Sequence, residues 1–210
     1  MAYKYSTGSV DRGDIYYEDD AGKNTYLDWA EDQLDIVVGA KSMIKMVEAA
    51  TDKITLNNGG SNVDLQIKSN NNANLIRTDG GNDRVGIGTS APASTFEVSG
   101  SQAGNFLDFA DAANLTLDET HYMVVFSNAT DGEKCYLPKA DTCPGRVYHI
   151  FNQTGGEEGG VIGLYPDDTA PDTIEHQDAL ELNSSTGNTS VSIVSDGDTN
   201  WLVFGQYSPS

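Results

Sequence analysis

The alternation of apolar and polar residues predicts short β-strands through most of the chain. Between residues 51 and 100, turns rich in Asn, Gly, Asp and Ser separate five alternating runs: DKITL, VDLQIKS, ANLIRTD, DRVGIG and TFEVSG. This punctuation is typical of strands of about five residues that recur roughly every 10 to 12 positions. Each run has one apolar face, and the residues we expect to share a core there are Ile54, Leu56, Leu65, Ile67, Leu75, Val85 and Ile87.

A second block of strand-like runs occupies residues 121–210. It contains YMVVF, KCYLP, RVYHIFN, GVIGLY, DTIEH, ALEL, SVSIVS and WLVFGQY, with Gly, Asp and Pro between them. Eight such strands favour a compact β-sandwich or jelly roll. Residues 101–120 are mostly small and polar, so we interpret them as a linker with room for one short helical turn.

The first 50 residues have a less regular pattern. They begin with an acidic stretch, and residues 27–34 (LDWAEDQL) fit a helical turn or two, whereas residues 34–40 (LDIVVGA) fit a strand. Residues 41–50 (KSMIKMVEAA) contain helix formers without an N-cap, which leaves helix and strand open. The fold class we expect is therefore all-β, with a thin β stem over residues 51–100. Because thin hairpins bury little apolar surface alone, we expect a homo-oligomer with a shared core.

The charge balance argues against two classes of partner. The chain has 32 acidic residues against 12 Lys and Arg, a formal net charge of −20, and no Lys or Arg follows Arg146. Nucleic acids and anionic membrane surfaces bind mainly through Lys and Arg, so we expect neither as a partner. The start of the chain lacks an apolar signal segment, so we expect synthesis in a cytoplasm without export.

Two glycines near residue 87 have the spacing of a dinucleotide-binding turn. Gly86, Gly88 and Ala91 spell G-x-G-x-x-A. That turn must open a helix, but Pro92 and the strand-like run TFEV follow instead. We therefore interpret Gly86 and Gly88 as positions of close strand packing or tight turning, and Pro92 as the end of the unit.

No cofactor, metal or catalytic group is expected from the remaining chemistry. The spacing of Cys135 and Cys143 is neither a disulfide framework nor a usual zinc motif, which favours two thiols but leaves a bridge open. The stretch DGDTN at residues 196–200 imitates half a calcium loop, but Trp201 and Tyr207 stand where such a loop needs Gly and Glu. No spacing among Asp167, Asp168 and Asp172 selects a glycosidase pair.

Four aromatic residues of the second block have two interpretations. They are Tyr136, Tyr148, Trp201 and Tyr207. They could form a sugar-stacking face, but strand aromatics more often belong to a core.

Residues 62–100 resemble the short repeated unit of trimeric tailed-bacteriophage fibre proteins. A strand pair there leads into a V-G-I-G-T-x-x-P turn, Val85 to Pro92, and then into a further strand, Thr95 to Val98. LPKADTCPGRVYHIFN (137–152) and VSIVSDGDTNWLVFG (191–205) resemble a small β domain that often ends such fibres, and the opening KYSTGSVDRGDIYYEDD looks like the start of structural proteins from aquatic phages.

The resemblance implies a homotrimer on the surface of a virion without enzyme activity. Residues 1–50 would then attach the protein to major capsid or tail proteins, while residues 51–100 form the trimeric stem. The chain is short for a tail fibre and shows no self-cleaving chaperone segment, which leaves room for a short fibre, a spike or a decoration protein. Open alternatives are a capsid cement protein, an adhesin for a host surface glycan, and a polysaccharide-cleaving tailspike.

Overall fold

The computed structural model describes residues 15–16, 21–22, 24–111, 113–128, 130, 132–153, 160–166, 172–183 and 189–207. The fold is all-β, as the alternation predicted. The chain divides into two compact units, Met1–Gln102 and Ala103–Ser210.

The first sheet of the first unit is an antiparallel meander. Its strands, in spatial and sequence order, are β1 (Ile15–Tyr16), β2 (Tyr26–Ala30), β3 (Gln33–Val38), β4 (Lys41–Val47) and β5 (Lys53–Leu56). Gly39 and Ala40 join β3 to β4 with φ angles of 57° and 61°. Positive φ at both central residues is what a type I′ hairpin turn requires.

This sheet corrects two expectations about the first 50 residues. The helical interpretation of residues 27–34 is wrong, because β2 and β3 pair across the two-residue turn Glu31–Asp32. Residues 41–47 also form a strand, which settles the choice left open for residues 41–50. The expected boundary between residues 50 and 51 falls inside the sheet, since β5 pairs with β4. Cross-strand pairing of apolar side chains outweighs the weak helix propensity of these segments.

The second sheet of the first unit contains the turn motif. Its strands, in order, are β6 (Gln66–Ile67), β7 (Ile76–Asp79), β8 (Arg84–Ile87) and β9 (Phe96–Val98). The first two pairs are antiparallel, whereas β8 and β9 are parallel. Residues 88–95 make this parallel connection in eight residues, although such crossovers usually need a dozen or more.

The second unit contains two sheets, a six-stranded third sheet and a four-stranded fourth sheet. Their strands are β10 (Phe106–Phe109), β11 (Leu115–Thr116), β12 (Met123–Phe126), β13 (Glu133–Tyr136), β14 (Val147–Asn152), β15 (Val161–Tyr165), β16 (Thr173–Ile174), β17 (Leu180–Asn183), β18 (Thr189–Ser195) and β19 (Asn200–Tyr207), with a 3-10 helix at Ala140–Thr142. The spatial order is β10-β12-β14-β18-β19-β16 in the third sheet and β11-β13-β15-β17 in the fourth.

The chain alternates between these two sheets from β10 to β15. Successive strands of each sheet are consequently parallel, β10 with β12 and β14, and β11 with β13 and β15. Antiparallel β17 completes the fourth sheet. In the third sheet, antiparallel β18 and β19 follow β14, and β16 pairs parallel with β19 at the edge. Sixteen buried residues from both sheets and their connections form one core cluster, which includes Phe126, Tyr148, Leu164 and Trp201.

The linker expected at residues 101–120 is also corrected. The second unit begins at Ala103, and β10 and β11 lie within the segment as edge strands of the third and fourth sheets. The partners of these short strands, β12 and β13, lie well apart along the chain. Pairing at that separation leaves little local pattern in the sequence.

Candidate assembly surface

The register of the first sheet places its large apolar side chains on one side. Trp29 pairs with Leu34, Leu34 with Met46, and Met46 with Ile54. Because directly opposed residues of antiparallel strands project to the same face, these side chains form a row. A second cross-strand row beside it, which begins at Ile15 and ends at Leu56, lies on the same side of the sheet. We call the two rows together the apolar face: Ile15, Leu27, Trp29, Leu34, Ile36, Ile44, Met46, Ile54 and Leu56.

The apolar face is open to solvent in the single chain. Ile54 keeps 72% of its surface exposed, Ile15 59% and Trp29 52%. Leu34 and Met46, in the middle of the face, are only half-buried. A monomeric soluble protein rarely exposes a contiguous apolar surface of this kind, so the face indicates an interaction site.

The opposite side of the first sheet has a polar central row. Asp28 pairs with Asp35, and Asp35 pairs with Lys45. The Asp35 carboxylate is buried and accepts a 2.6 Å hydrogen bond from the Ser42 hydroxyl. Val37 is buried on this side as well, so the sheet separates its side chains by polarity only in part, and the apolar face is the side left uncovered.

A second open apolar side belongs to the second sheet. Ile67, Ile76, Ile87 and Val98 form one cross-strand row, and Val85 pairs with Phe96 beside it. Phe96 is 59% exposed and Ile67 42%. Both sheets of the first unit thus lack an apolar layer against one face.

A groove of about 500 Å³ lies between the two sheets of the first unit. Residues of β4, β5, β7 and β8 and of the segment before β6 line it, among them Met43, Ile44, Leu56, Leu65 and Val85. Two shallower hollows lie along the apolar face, one beside Leu34, Met46 and Ile54 and one beside Leu27 and Ile36. These concavities give the apolar surface a shape into which side chains of another molecule can insert.

The turn motif is held by backbone contacts. Gly86 lies within β8 and is buried, and a Cβ there would lie 2.8 Å from Thr89 Cγ2 and 3.0 Å from the Thr89 carbonyl oxygen. Gly88 has a φ of 76° and forms the turn. Pro92 is buried, and its carbonyl oxygen accepts a 2.7 Å hydrogen bond from Arg84 Nη1. Gly86 is therefore a close-packing position, Gly88 a turning position and Pro92 an anchor of the crossover.

The structure sorts the seven expected core residues into three groups. Ile54 and Leu56 lie on the apolar face, whereas Ile67, Val85 and Ile87 lie on the open side of the second sheet. Leu65 and Leu75 lie just outside the strands and remain partly exposed.

Sequence reasoning missed most of the apolar face because it treated residues 1–50 as an attachment segment. The missed residues are Ile15, Leu27, Trp29, Leu34, Ile36, Ile44 and Met46. Alternation in YLDWA, QLDIVV and KSMIKMV was the available signal.

The structure also places most of the aromatic and acidic residues that the sequence suggested as candidates. Trp201 and Tyr148 belong to the core, while Tyr207 is exposed on β19. Asp196 Oδ1 accepts the backbone N–H groups of Asp198 and Asn200, so DGDTN is a side-chain-capped turn. Asp172 is buried and accepts the Ala140 N–H at 2.8 Å, whereas 167 and 168 lie outside the described residues.

Cys135 and Cys143 are both buried and unbridged. Burial raises the pKa of the Cys135 thiol far above its ordinary value. An uncharged thiol in this position acts as a small apolar core residue.

Nowhere in the described ranges do three or more His, Cys, Asp or Glu side chains converge on a potential metal position. No helix in the described part of the chain has the length and hydropathy needed to cross a bilayer.

No protein-family model matches the chain, and no curated protein matches it in a sequence comparison.

Proposed function

We propose that the protein is a non-enzymatic structural protein of a tailed-bacteriophage particle, a homotrimer displayed on the surface as a short fibre or spike. The resemblance of residues 62–100 and of the second block to bacteriophage fibre proteins supports the location on a virion and the trimeric state. The observation that carries the assembly role is the open apolar face of the first sheet, together with the open side of the second.

Association of identical chains would remove these surfaces from water. Fully burying a Leu, Ile or Phe side chain contributes about 1.5–3 kcal/mol relative to exposure. The apolar face alone offers nine such large side chains, of which Ile54, Ile15 and Trp29 are more than half exposed. The first unit would therefore be completed by its neighbours, with cores formed from faces of several chains.

The distribution of charge is compatible with self-association despite the net charge of −20. No acidic residue belongs to the apolar face, because Asp28 and Asp35 project to the other side of the sheet. Repulsion between copies then acts at longer range, where salt screens it beyond about 10 Å. Assembly should accordingly strengthen as ionic strength rises.

The oligomer is tested by light scattering of the purified chain and of two charge-matched variants. We expect the wild type to have three times the 22.5 kDa chain mass. Ile54→Asp places a carboxylate on the apolar face and should weaken association by at least about 2 kcal/mol, roughly a 30-fold increase in dissociation constant. Thr55→Asp adds the same charge to the opposite face, next to Lys45, and should leave the mass unchanged.

Far-ultraviolet circular dichroism of the full chain, compared with that of the wild type, serves as the folding control for both variants. A monomeric wild type, or equal loss of mass in both variants, would contradict assembly through the apolar face. A wild-type dimer or tetramer would be compatible with assembly through the apolar face but would contradict the trimer.

Copy number in purified particles separates the fibre from the cement alternative. Quantitative mass spectrometry against the major coat protein should give a few tens of copies or fewer for a fibre or spike. Hundreds of copies would instead support a decoration protein bracing the shell, and absence from particles would contradict the virion role.

A further inference from the structure

The turn that follows β5 contains the only Asn–Gly pair of the sequence, Asn58–Gly59. The Gly60 N–H donates a 3.0 Å hydrogen bond to the Asn57 carbonyl oxygen, so Asn58 and Gly59 are the central residues of a β-turn. Neither central residue has a positive φ, which is typical of a type I turn. We call residues 57–60 the Asn58 turn.

The two asparagines of this turn are held very differently. The Asn57 carboxamide donates to the Ser61 carbonyl oxygen at 2.7 Å and accepts the Ser61 N–H at 3.1 Å, and the Asn57 N–H donates to the Met43 carbonyl oxygen at 2.8 Å. The Asn58 side chain is exposed and makes no hydrogen bond to any described residue. The Asn57 carboxamide is therefore fixed, whereas that of Asn58 is free to rotate.

Gly59 leaves the backbone beside Asn58 unshielded. The Gly59 N–H donates no hydrogen bond within the described ranges, and a Cβ at this position would meet nothing closer than Ser61 Oγ at 3.9 Å. Because glycine has no side chain, nothing blocks the approach of its own nitrogen to the preceding carboxamide. A single backbone hydrogen bond spans the turn, so local rearrangement costs little free energy.

We propose that Asn58 is a self-modification site, at which the carboxamide is converted to a carboxylate. The Gly59 nitrogen attacks Asn58 Cγ, the bond from Cγ to Nδ2 breaks, and ammonia leaves with the proton of the attacking nitrogen. Water then opens the five-membered imide that has formed. Hydrolysis at Cγ gives aspartate, whereas hydrolysis at the main-chain carbonyl carbon gives isoaspartate, in which the chain runs through Cβ and Cγ.

The new carboxylate lies next to the groove between the two sheets of the first unit, because Leu56 and Asn57 directly before it line that groove. The charged lining residues are Asp64, Asp79, Asp83 and Arg84. Asp64 is paired with Arg77 at 2.7 Å, which leaves two carboxylates against Arg84. A further carboxylate adds to this excess of negative charge and repels an acidic second copy. The consequence for association rests on the function proposed above, whereas the modification itself does not.

The site is tested by peptide mapping of the full chain after incubation at 37 °C and pH 8.5. Trypsin releases residues 54–68, a peptide with three asparagines, and tandem mass spectrometry assigns the change to one of them. We expect Asn58 to react at least about tenfold faster than Asn57 and Asn62, because intramolecular attack is sensitive to the orientation of the reacting atoms. The reaction should be slower at pH 6, since the attacking nitrogen must lose its proton.

Two variants provide the matched controls. Gly59→Ala adds a methyl group beside the attacking nitrogen in space that the fold leaves open, so it should keep the structure and slow Asn58 to the rate of Asn57. Asn71→Gln changes an exposed asparagine between β6 and β7 and should leave the rate at Asn58 unaltered. Equal rates at the three asparagines, an intact Asn58 after several weeks, or a Gly59→Ala chain that reacts as fast as the wild type would overturn the site.

Light scattering of the incubated samples tests the consequence for association. Incubated wild type and fresh Asn58→Asp should both associate about threefold more weakly than fresh wild type, the effect expected of one exposed charge. Incubated Gly59→Ala should associate as fresh wild type does, and equal loss in incubated wild type and Gly59→Ala would overturn this consequence. A monomeric fresh wild type would contradict the proposed function, and the consequence with it, while the peptide map would still decide the site.

Discussion

In the first unit the apolar side chains of the strands face solvent, whereas in the second unit they face one another. Of the 18 buried hydrophobic residues in the described ranges, proline and glycine aside, 17 belong to the second unit and only Val37 to the first. Hydrogen-bonded sheets are therefore formed both with and without a core. The second unit contains its own core, whereas the first leaves its apolar surfaces uncovered within one chain.

The sharpest contrast is between two isoleucines that receive the same substitution. Ile193 is fully buried at the centre of β18, so Ile193→Ala should lower the free energy of unfolding of the second unit by about 2–5 kcal/mol. Ile54 is 72% exposed, so Ile54→Ala should leave that free energy unchanged. Urea denaturation followed by Trp201 emission in a Trp29→Phe background reports the second unit alone.

The protein concentration provides the check on this comparison. The Trp201 transition should have the same midpoint at every concentration, because the second unit contains its own core. A midpoint that rises with concentration, or a large effect of Ile54→Ala, would mean that the second unit also depends on its neighbours.

The strands of the second block could be predicted from the sequence because their alternation coincides with burial. All eight expected strands from Tyr122 onward are present as β12 to β19. β10 and β11 escaped prediction since their parallel partners are distant and their runs are short. Parallel pairing depends on how the chain passes between sheets, which local alternation does not record.

The candidate surface was less accessible to sequence reasoning. Ile54 and Leu56 were expected in a shared core, but Trp29, Leu34 and Met46 join them through cross-strand register. Register depends on turn geometry at Glu31–Asp32 and Gly39–Ala40, and a one-residue slip would reverse every face.

A smaller change in stability is expected in the second sheet, where close backbone contacts stand in place of a buried core. Gly86→Ala forces a methyl group against Thr89 and should cost the second sheet about 1–3 kcal/mol, the usual range for overpacking. Hydrogen exchange should then accelerate at the amides of Val85 and Ser99, which bond to the carbonyls of Thr95 and Ile87 at 2.8 Å. About tenfold faster exchange is expected for each 1.4 kcal/mol.

Gly59→Ala is the matched control for this prediction, because a Cβ there meets nothing closer than Ser61 Oγ at 3.9 Å. Unchanged exchange in Gly86→Ala would show that the crossover at residues 88–95 can shift to accommodate a methyl group. The close contacts of Gly86 with Thr89 would then not be what stabilises the second sheet.

The smallest expected effect is a change in stability with pH. It concerns the second unit alone, because both cysteines belong to that unit. Burial raises the pKa of the Cys135 thiol, so the folded chain keeps its proton where the unfolded chain, with an ordinary thiol pKa of about 8.5, loses it. This group's contribution is complete below that pH and is lost as the pH rises above it. Stability of the second unit should fall by about 1.4 kcal/mol per pH unit from this group.

Urea denaturation by Trp201 emission between pH 7 and 10 measures that slope, in a Cys143→Ala background that leaves one thiol. Burial also raises the pKa of Tyr148, so its ionisation adds a further loss of stability at higher pH. Cys135→Ala should therefore be less stable at pH 7, because it leaves a small cavity, yet lose less stability on going to pH 10. Parallel curves for the two proteins would contradict an ionisable group sealed in the core, and with it the view that the second unit excludes water without help from other chains.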